Sequence, residues 1–193
     1  FLLNFMDKLT IEEIKALRDE TGVSIMQCKR ALEEAAGDVE KAKVLLRKAS
    51  AAIATKKSDR ELGAGVAAAY VHAGGSVVGA VVLACETDFV SKNEEFSKLA
   101  YDIAMHVAAM KPQFKTKDDV KDTDVRAAKE VFTEEAANVP AEKRDMVVQG
   151  KLDAYLKERV LLEQPFVKNG DITIRELIDT HMQKFGEKIE ITR

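Results

Sequence analysis

The residues that could carry covalent or metal chemistry in this 193-residue chain are two cysteines, Cys28 and Cys85, and three scattered histidines. Neither cysteine has a histidine nearby in sequence, and no pair has the spacing of zinc ligands. The phosphate-binding loops Gly-x-x-x-x-Gly-Lys and Gly-x-Gly-x-x-Gly do not occur. The sequence therefore predicts no metal, no cofactor and no enzyme, with a thiol nucleophile assembled by the fold as a minor alternative.

The segment Thr87-Asp88-Phe89-Val90 is a candidate site of contact with another protein. These residues follow the most hydrophobic strand candidate, 76–86, and precede a long amphipathic helix. A short polar turn would be enough here, yet the connection carries an acid and a large aromatic. Phe89 either folds back as a lid on the core, where phenylalanine is usually found, or projects as an anchor for a partner.

The composition describes a globular, helix-rich protein with 46% hydrophobic and 33% charged residues. A net charge of −3 argues against a nucleic-acid partner, which needs a basic face. No apolar run approaches the roughly 20 residues of a membrane span, so no membrane partner is expected. Two cysteines within apolar patterns favour reduced thiols and a cytoplasmic location. Phe1–Phe5 is too short for a signal peptide and is expected to be the end of a trimmed or tagged chain.

Residues 6–50 are predicted to form a module of three short helices. Thr10-Ile-Glu-Glu13 and Ser24-Ile-Met-Gln27 both have the capping-box form that begins a helix. Gly22 and Gly37 fall where the first two helices should end. The residues predicted to face the small core are Ile11, Ile14, Leu17, Ile25, Cys28, Leu32, Val39, Ala42 and Leu45.

Residues 51–63 lose the apolar periodicity and gain charge, which predicts a linker, helical at its start, about which the module can pivot. Residues 64–193 are then predicted to be an α+β core, built on a small antiparallel sheet of about three strands. Gly65–His72 and Ser76–Glu86 form a hairpin across a glycine turn, and Glu187–Arg193 supplies the third strand. The second strand is apolar on both faces, which predicts a central strand covered by helices.

Helices are predicted to pack on this sheet. One is capped at Ser91 and runs to Met110, and a last helix ends at Phe185. Residues 117–163 have helical spacing broken near Pro140, which predicts a helical hairpin. The many charges of this hairpin favour a face that is simply exposed to solvent. The functional alternative is a protruding hairpin or a dimer surface. The stripe predicted to be buried on the long helix is Phe96, Leu99, Ile103 and Met110, with His106 beside it as a structural histidine.

A resemblance to a known family begins in the three-helix module. Thr21–Leu32, followed by Gly37-Asp38, resembles the amino-terminal ubiquitin-associated-like docking module of the translation elongation factor Ts family. Gln27 departs from the family pattern, which usually has Asp there, and Arg30 stands where the family usually has Lys. By itself this segment also fits a generic bundle or a ubiquitin-binding module.

The resemblance becomes specific in the core. Glu86–Asn93 is similar to the family's Thr-Asp-Phe-Val signature, which also follows a strand, and Leu161–Val167 is similar near the carboxyl end. With the module, these segments stand in the family's order and spacing over nearly all of residues 6–193. One strand pair and one signature resemble a short form of the family with a single core repeat.

The resemblance implies a guanine-nucleotide exchange factor that promotes GDP release from the GTPase elongation factor Tu and is not itself an enzyme. The residues it implies are Thr87, Asp88, Phe89 and Val90 for dislodging the partner's Mg²⁺, and Met26, Lys29, Tyr70 and His72 for binding the partner. A short form would dimerise to restore a symmetric two-core surface. The competing class is an adaptor or ubiquitin-type binding module without exchange activity, in which Phe89 is a core lid.

Overall fold

A computed structural model describes residues 10–193, so Phe1–Phe5 and the first residues of the predicted module lie outside the described part. The helices are α1 (Ile11–Thr21), α2 (Ile25–Glu34), α3 (Val39–Lys56), α4 (Asp88–Ser91), α5 (Glu94–Met110), α6 (Asp122–Glu135), α7 (Ala141–Arg159) and α8 (Ile174–Phe185). The strands are β1 (Ala64–Val71), β2 (Val78–Cys85), β3 (Pro165–Phe166), β4 (Asn169–Thr173) and β5 (Ile189–Ile191). The predicted α+β class is confirmed.

The described chain divides into two compact units. The first contains residues 10–67, 82–100 and 176–193, and the second contains residues 68–81 and 101–175. The predicted domain boundaries at residues 50 and 64 both fall inside the first unit and stay a prediction.

Local signals begin the three amino-terminal helices, and end the first of them, as expected; α2 ends at Glu34, before the predicted Gly37. Thr10 forms a full capping box with Glu13, and Gly22 ends α1 in the left-handed conformation at φ 70°. Ser24 and Asp38 accept hydrogen bonds at the starts of α2 and α3.

The core of this bundle differs from the prediction at one end. Ile14, Leu17, Cys28, Leu32 and Ala42 are buried. Leu45 is partly buried against this cluster, whereas Ile11, Ile25 and Val39 are exposed. Each of these exposed residues is the first residue of its helix, where the side chain points back beyond the helix start and away from the middle of the bundle.

The predicted linker, residues 51–63, stays a prediction, but hydrogen bonds hold part of it in place. Helix α3 continues to Lys56, through the first half of the predicted linker. The residues after it are pinned to the segment before β5: Lys57 Nζ donates to the Gly186 carbonyl at 2.5 Å, and Lys188 Nζ donates to the Ser58 and Arg60 carbonyls at 2.6 and 3.1 Å. Such multiple anchoring leaves the backbone little freedom to swivel.

The sheet has the predicted three strands in the order β1-β2-β5, with β2 in the centre. Strands β2 and β5 are antiparallel, with Leu83 opposite Ile191 and Cys85 opposite Ile189. The prediction that both faces of β2 are covered is confirmed only toward the end of the strand, because Val78, its first residue, is 59% exposed. The chain therefore becomes most buried just before Thr87-Asp88-Phe89-Val90.

In the second unit, α6 and α7 form the predicted helical hairpin. The short hairpin of β3 and β4 was not predicted, because a two-residue strand carries no periodicity. Met110 was predicted to be buried but is 43% exposed, since it is the last residue of α5.

His106 is the buried polar centre of the second unit, as its structural interpretation predicted. Its Nε2–H donates to Gln164 Oε1 at 2.9 Å, and the Val167 N–H donates to its Nδ1 at 3.2 Å. The Gln164 amide in turn donates to the Glu158 carbonyl at 2.6 Å. Burial lowers the pKa of His106, although the Gln164 hydrogen bond acts in the opposite direction. The folded protein therefore holds this ring neutral.

This neutral histidine predicts a loss of stability in mild acid. Between pH 7.5 and 5.5 the unfolded chain takes up the proton, near its ordinary pKa of about 6.5, and the folded chain, in which the pKa of His106 is lower, takes up less of it. The free energy of unfolding should then fall by up to about 1.4 kcal/mol through this one group. Urea titrations at both pH values check it in the wild type and in His106→Gln, whose own loss over this range should be smaller by that amount. Equal losses in the two proteins would contradict it.

Candidate partner-binding corner

The corner Thr87–Val90 exposes one apolar side chain and buries the next. Thr87 leaves the end of β2, and residues 88–91 form α4, a single helical turn. Phe89 is 81% exposed, whereas Val90 is 3% exposed. Successive side chains on a helical turn point about 100° apart, so the inward position of Val90 directs Phe89 outward. The lid interpretation of Phe89 is therefore wrong, and Val90 is the residue that closes the core.

Hydrogen bonds on both sides fix the corner. The Cys85 thiol donates to the Thr87 carbonyl at 3.2 Å, and the Ser91 hydroxyl donates to the Asp88 carbonyl at 3.1 Å. The predicted cap of the following helix at Ser91 is wrong: α5 begins at Glu94, after Asn93, whose Oδ1 accepts from the Glu95 N–H at 2.8 Å. Ser91 is instead the last residue of α4.

The Asp88 side chain is exposed to solvent next to Phe89. Lys92 Nζ donates to Asp88 Oδ2 at 2.6 Å, and this hydrogen bond and the lysine charge hold the pKa of Asp88 below its usual range. Both side chains are about three-quarters exposed. An exposed pair of this kind contributes little to stability, so a partner can replace Lys92 at little cost.

Two carboxylates whose role was not predicted from the sequence, Glu86 and Glu187, support the corner. Glu86 accepts from the Arg60 guanidinium at 3.2 Å and from the Lys188 N–H at 2.5 Å. Burial acts to raise the pKa of Glu86, but these two donors outweigh it and hold the pKa below its usual value. Glu187 accepts from the backbone N–H and the hydroxyl of Thr87. The β2–β5 register was the signal that could have found this pair of contacts.

The thiol-nucleophile alternative finds no support at the two cysteines. Both side chains are buried and unpaired with each other. Burial raises the pKa of Cys28 and of Cys85, and the Glu187 carboxylate raises that of Cys85 further. A thiol held protonated is a poor nucleophile.

Met26 and Lys29 lie on α2, in the same unit as the corner. Met26 is 67% exposed and its neighbour Ile25 is 50% exposed. Lys29 is half-exposed and lies 3.7 Å from Glu33, one turn along the helix. The surface thus offers an apolar strip with a cation next to it.

Tyr70 and His72 belong to the second unit, at the end of β1. Tyr70 Oη and His72 Nδ1 are joined by a hydrogen bond of 3.1 Å. The Tyr70 ring also meets Tyr101 edge to face, with centroids 5.8 Å apart. The structure therefore brings these two predicted residues together and leaves His72 exposed.

Within residues 10–193, no group of three or more His, Cys, Asp or Glu side chains could hold a metal ion. None of the helices over the same residues combines the length and apolar character that crossing a membrane requires.

Comparison with known proteins gives a consistent result. A family model described as Elongation factor TS matches residues 39–193. The elongation factor Ts of Carboxydothermus hydrogenoformans is 44% identical over 187 residues, 96% of this chain and 86% of that protein. Those of Desulforamulus reducens and Herpetosiphon aurantiacus are 40% and 38% identical, over 97% and 96% of this chain and 88% and 94% of their own lengths.

Proposed function

We propose that this chain, which belongs to the elongation factor Ts family, promotes GDP release from elongation factor Tu by inserting the corner Thr87–Val90 beside the partner's nucleotide and Mg²⁺. The family match confirms the resemblance drawn from the motif residues and gives the chain a role in translation elongation. As an exchange factor it makes and breaks no covalent bond.

One observation carries the proposal: Phe89 is 81% exposed on a corner that is otherwise held in place. Leaving a phenylalanine in water loses the burial that the fold could have given it. An aromatic presented on a fixed support is suited to enter a partner's pocket, because little order is lost when it binds. One such anchor is worth about 2–4 kcal/mol at an interface.

That energy is a large part of what nucleotide exchange requires. A GTPase holds GDP through its phosphate-binding loop and a Mg²⁺ ion that bridges the phosphate oxygens to protein ligands. A factor that binds the nucleotide-free form of the GTPase more tightly than the GDP-bound form must weaken the binding of GDP by the same ratio. Phe89 would enter between elements near the ion and displace them, while the Asp88 carboxylate would compete for polar groups or repel the ion's acidic ligands. A thousandfold faster release corresponds to about 4 kcal/mol of barrier.

The direct test is the release of fluorescently labelled GDP from elongation factor Tu, followed with increasing amounts of the wild-type chain and excess unlabelled GDP. We expect the release rate to rise and saturate. The reverse exchange gives a control, since the chain should also speed the incorporation of labelled GDP into a partner that starts loaded with unlabelled GDP. A release rate that does not change with the chain would overturn the proposed function.

The three-helix module is proposed to supply affinity through Met26 and Lys29. Met26→Ala should raise the concentration of the chain needed for half-maximal release by about fivefold, the effect of roughly 1 kcal/mol. The saturating rate should stay near the wild-type rate, because the corner is intact. Val44→Ala, which truncates a 40% exposed valine on α3, is the matched control and should change neither quantity. A fall in the saturating rate of Met26→Ala alone would contradict this division of roles.

The remaining partners stay predictions. Tyr70 and His72 are proposed as a further contact with elongation factor Tu, and a homodimer is tested by sedimentation at micromolar concentration, where a monomeric mass would exclude it. A translation factor of this family would act in the cytoplasm. It would need neither nucleic acid nor a membrane as a partner.

A further inference from the structure

We propose that Glu187 is a positioning residue that holds the corner Thr87–Val90 in the conformation that presents Phe89. The proposal rests on the exchange function proposed above and concerns how the corner is kept ready for the partner. Glu187 itself would not touch the GTPase or its nucleotide.

Both oxygens of the Glu187 carboxylate are used on Thr87. The Thr87 N–H donates to Oε2 at 3.0 Å, and the Thr87 hydroxyl donates to Oε1 at 2.5 Å. Thr87 stands at the N-cap position of α4 but makes no side-chain hydrogen bond to that helix. A threonine there would ordinarily cap the helix through its own hydroxyl. Here a carboxylate a hundred residues away in sequence takes the hydroxyl and the backbone N–H together.

The fold fixes Glu187 from two directions. Leu83 pairs with Ile191 and Cys85 with Ile189 in the sheet, so the same antiparallel count, continued by two residues, places Glu187 opposite Thr87. On its other side Glu187 follows Gly186, which ends α8 at φ 74° with its N–H bonded to the Met182 carbonyl at 3.0 Å. The carboxylate is therefore carried by a helix end and a sheet register, and not by a loose loop.

The corner needs such support because a single helical turn is too short to be stable alone. Without Glu187, the Thr87 N–H and hydroxyl can turn to water, since this contact is at the surface. We therefore expect the fold to survive while the corner samples more conformations. Phe89 would then have to be ordered on binding, which weakens its effect on the partner.

A reporter of corner mobility is available because the chain contains no tryptophan. Phe89→Trp places a single indole on the corner, and time-resolved fluorescence anisotropy measures its local rotation without any partner. In this background Glu187→Ala should raise the amplitude of the fast rotation about twofold. Glu187→Gln, which keeps an acceptor of the same shape, should restore most of the order. Lys184→Ala is the matched control, because it removes an exposed ion pair of α8 with Glu95 and should leave the indole unchanged.

The same Glu187 and Lys184 substitutions, made with Phe89 retained, are then measured for GDP release from elongation factor Tu and for thermal unfolding. Glu187→Ala should lower the saturating release rate about tenfold with little change in the thermal midpoint, and Glu187→Gln should recover most of the rate. Wild-type rates in Glu187→Ala, or an indole that stays ordered, would overturn the proposal. The proposal would also be overturned if the thermal midpoint of Glu187→Ala fell far enough to account for the lost release rate and Glu187→Gln did not restore it. If the wild-type chain released no GDP while Glu187→Ala loosened the indole, the exchange function would be overturned and the positioning of the corner would stand.

Discussion

Phe89→Ala is expected to slow stimulated GDP release by roughly 30-fold to 700-fold, while the chain stays folded. The factor corresponds to the loss of about 2–4 kcal/mol from one aromatic anchor. The substitution should have little effect on the stability of the folded state, because the side chain is 81% exposed. We expect the free energy of unfolding to change by less than about 0.5 kcal/mol. Stopped-flow release of labelled GDP and urea unfolding of the same preparation check both parts.

The adjacent residue provides the matched control for Phe89. Val90→Ala removes two methyl groups from a side chain that is 3% exposed, so it should lower the free energy of unfolding by about 1–3 kcal/mol. Below its unfolding range, Val90→Ala should retain most of its exchange activity, since Phe89 is still present. The two variants thus separate contact with a partner from support of the core. A large loss of stability in Phe89→Ala, with activity lost only in proportion, would contradict the role of Phe89 as an anchor.

The elements around the corner were predictable because their signals are local. Capping residues, alternation in Ile189 and Ile191 and the long apolar strand all act within a few residues, and the predicted helices and the three strands follow from them. The exposure of Phe89 is different in kind. Burial statistics alone favoured a lid, and the outward direction follows from which face of a single helical turn Val90 occupies.

The supports of the corner could not be predicted, because they are long-range. Thr87 and Glu187 are a hundred residues apart, and their contact depends on the register of two strands that periodicity places only to within a residue or two. The same reason applies to the hydrogen bonds of the predicted linker. Lys57 donates to the Gly186 carbonyl and Lys188 to the Ser58 carbonyl, and a backbone carbonyl acceptor cannot be recognised from the sequence. The predicted burial of the first residue of each amino-terminal helix was wrong, because periodicity identifies the buried face of a helix but not which of its turns lie beyond the end of the core.

Gly79→Ala should be among the most destabilising single substitutions in the chain, with a loss of about 3 kcal/mol or more. Gly79 lies in β2, the strand that leads to the corner, and packs against α5. A methyl group added at Gly79 would lie 2.2 Å from the Ala104 carbonyl oxygen and 2.7 Å from the Ala108 nitrogen. Both are backbone atoms inside a helix, so they cannot rotate away as a side chain would. The thermal midpoint should fall by roughly 6–12 °C for a chain of this size.

The contact with backbone also predicts what will not rescue the variant. Ala108→Gly removes only the third and longest of these contacts, to the Ala108 Cβ at 3.0 Å. The double variant Gly79→Ala with Ala108→Gly should therefore stay nearly as unstable as Gly79→Ala. Full rescue would show that side-chain crowding, and not the approach of strand to helix backbone, is what requires glycine there.

Gly150→Ala gives the matched control, with the opposite sign. Gly150 lies within α7, and a methyl group added there has no atom within 4 Å other than the nearby backbone of its own helix. Alanine is the better helix former, so this substitution should raise the free energy of unfolding by about 0.5–1 kcal/mol. The same chemical change therefore separates two kinds of glycine, one that lets β2 approach α5 and one that only weakens a solvated helix. Equal destabilisation at both positions would mean that the approach of β2 to α5 at Gly79 is not what sets the cost.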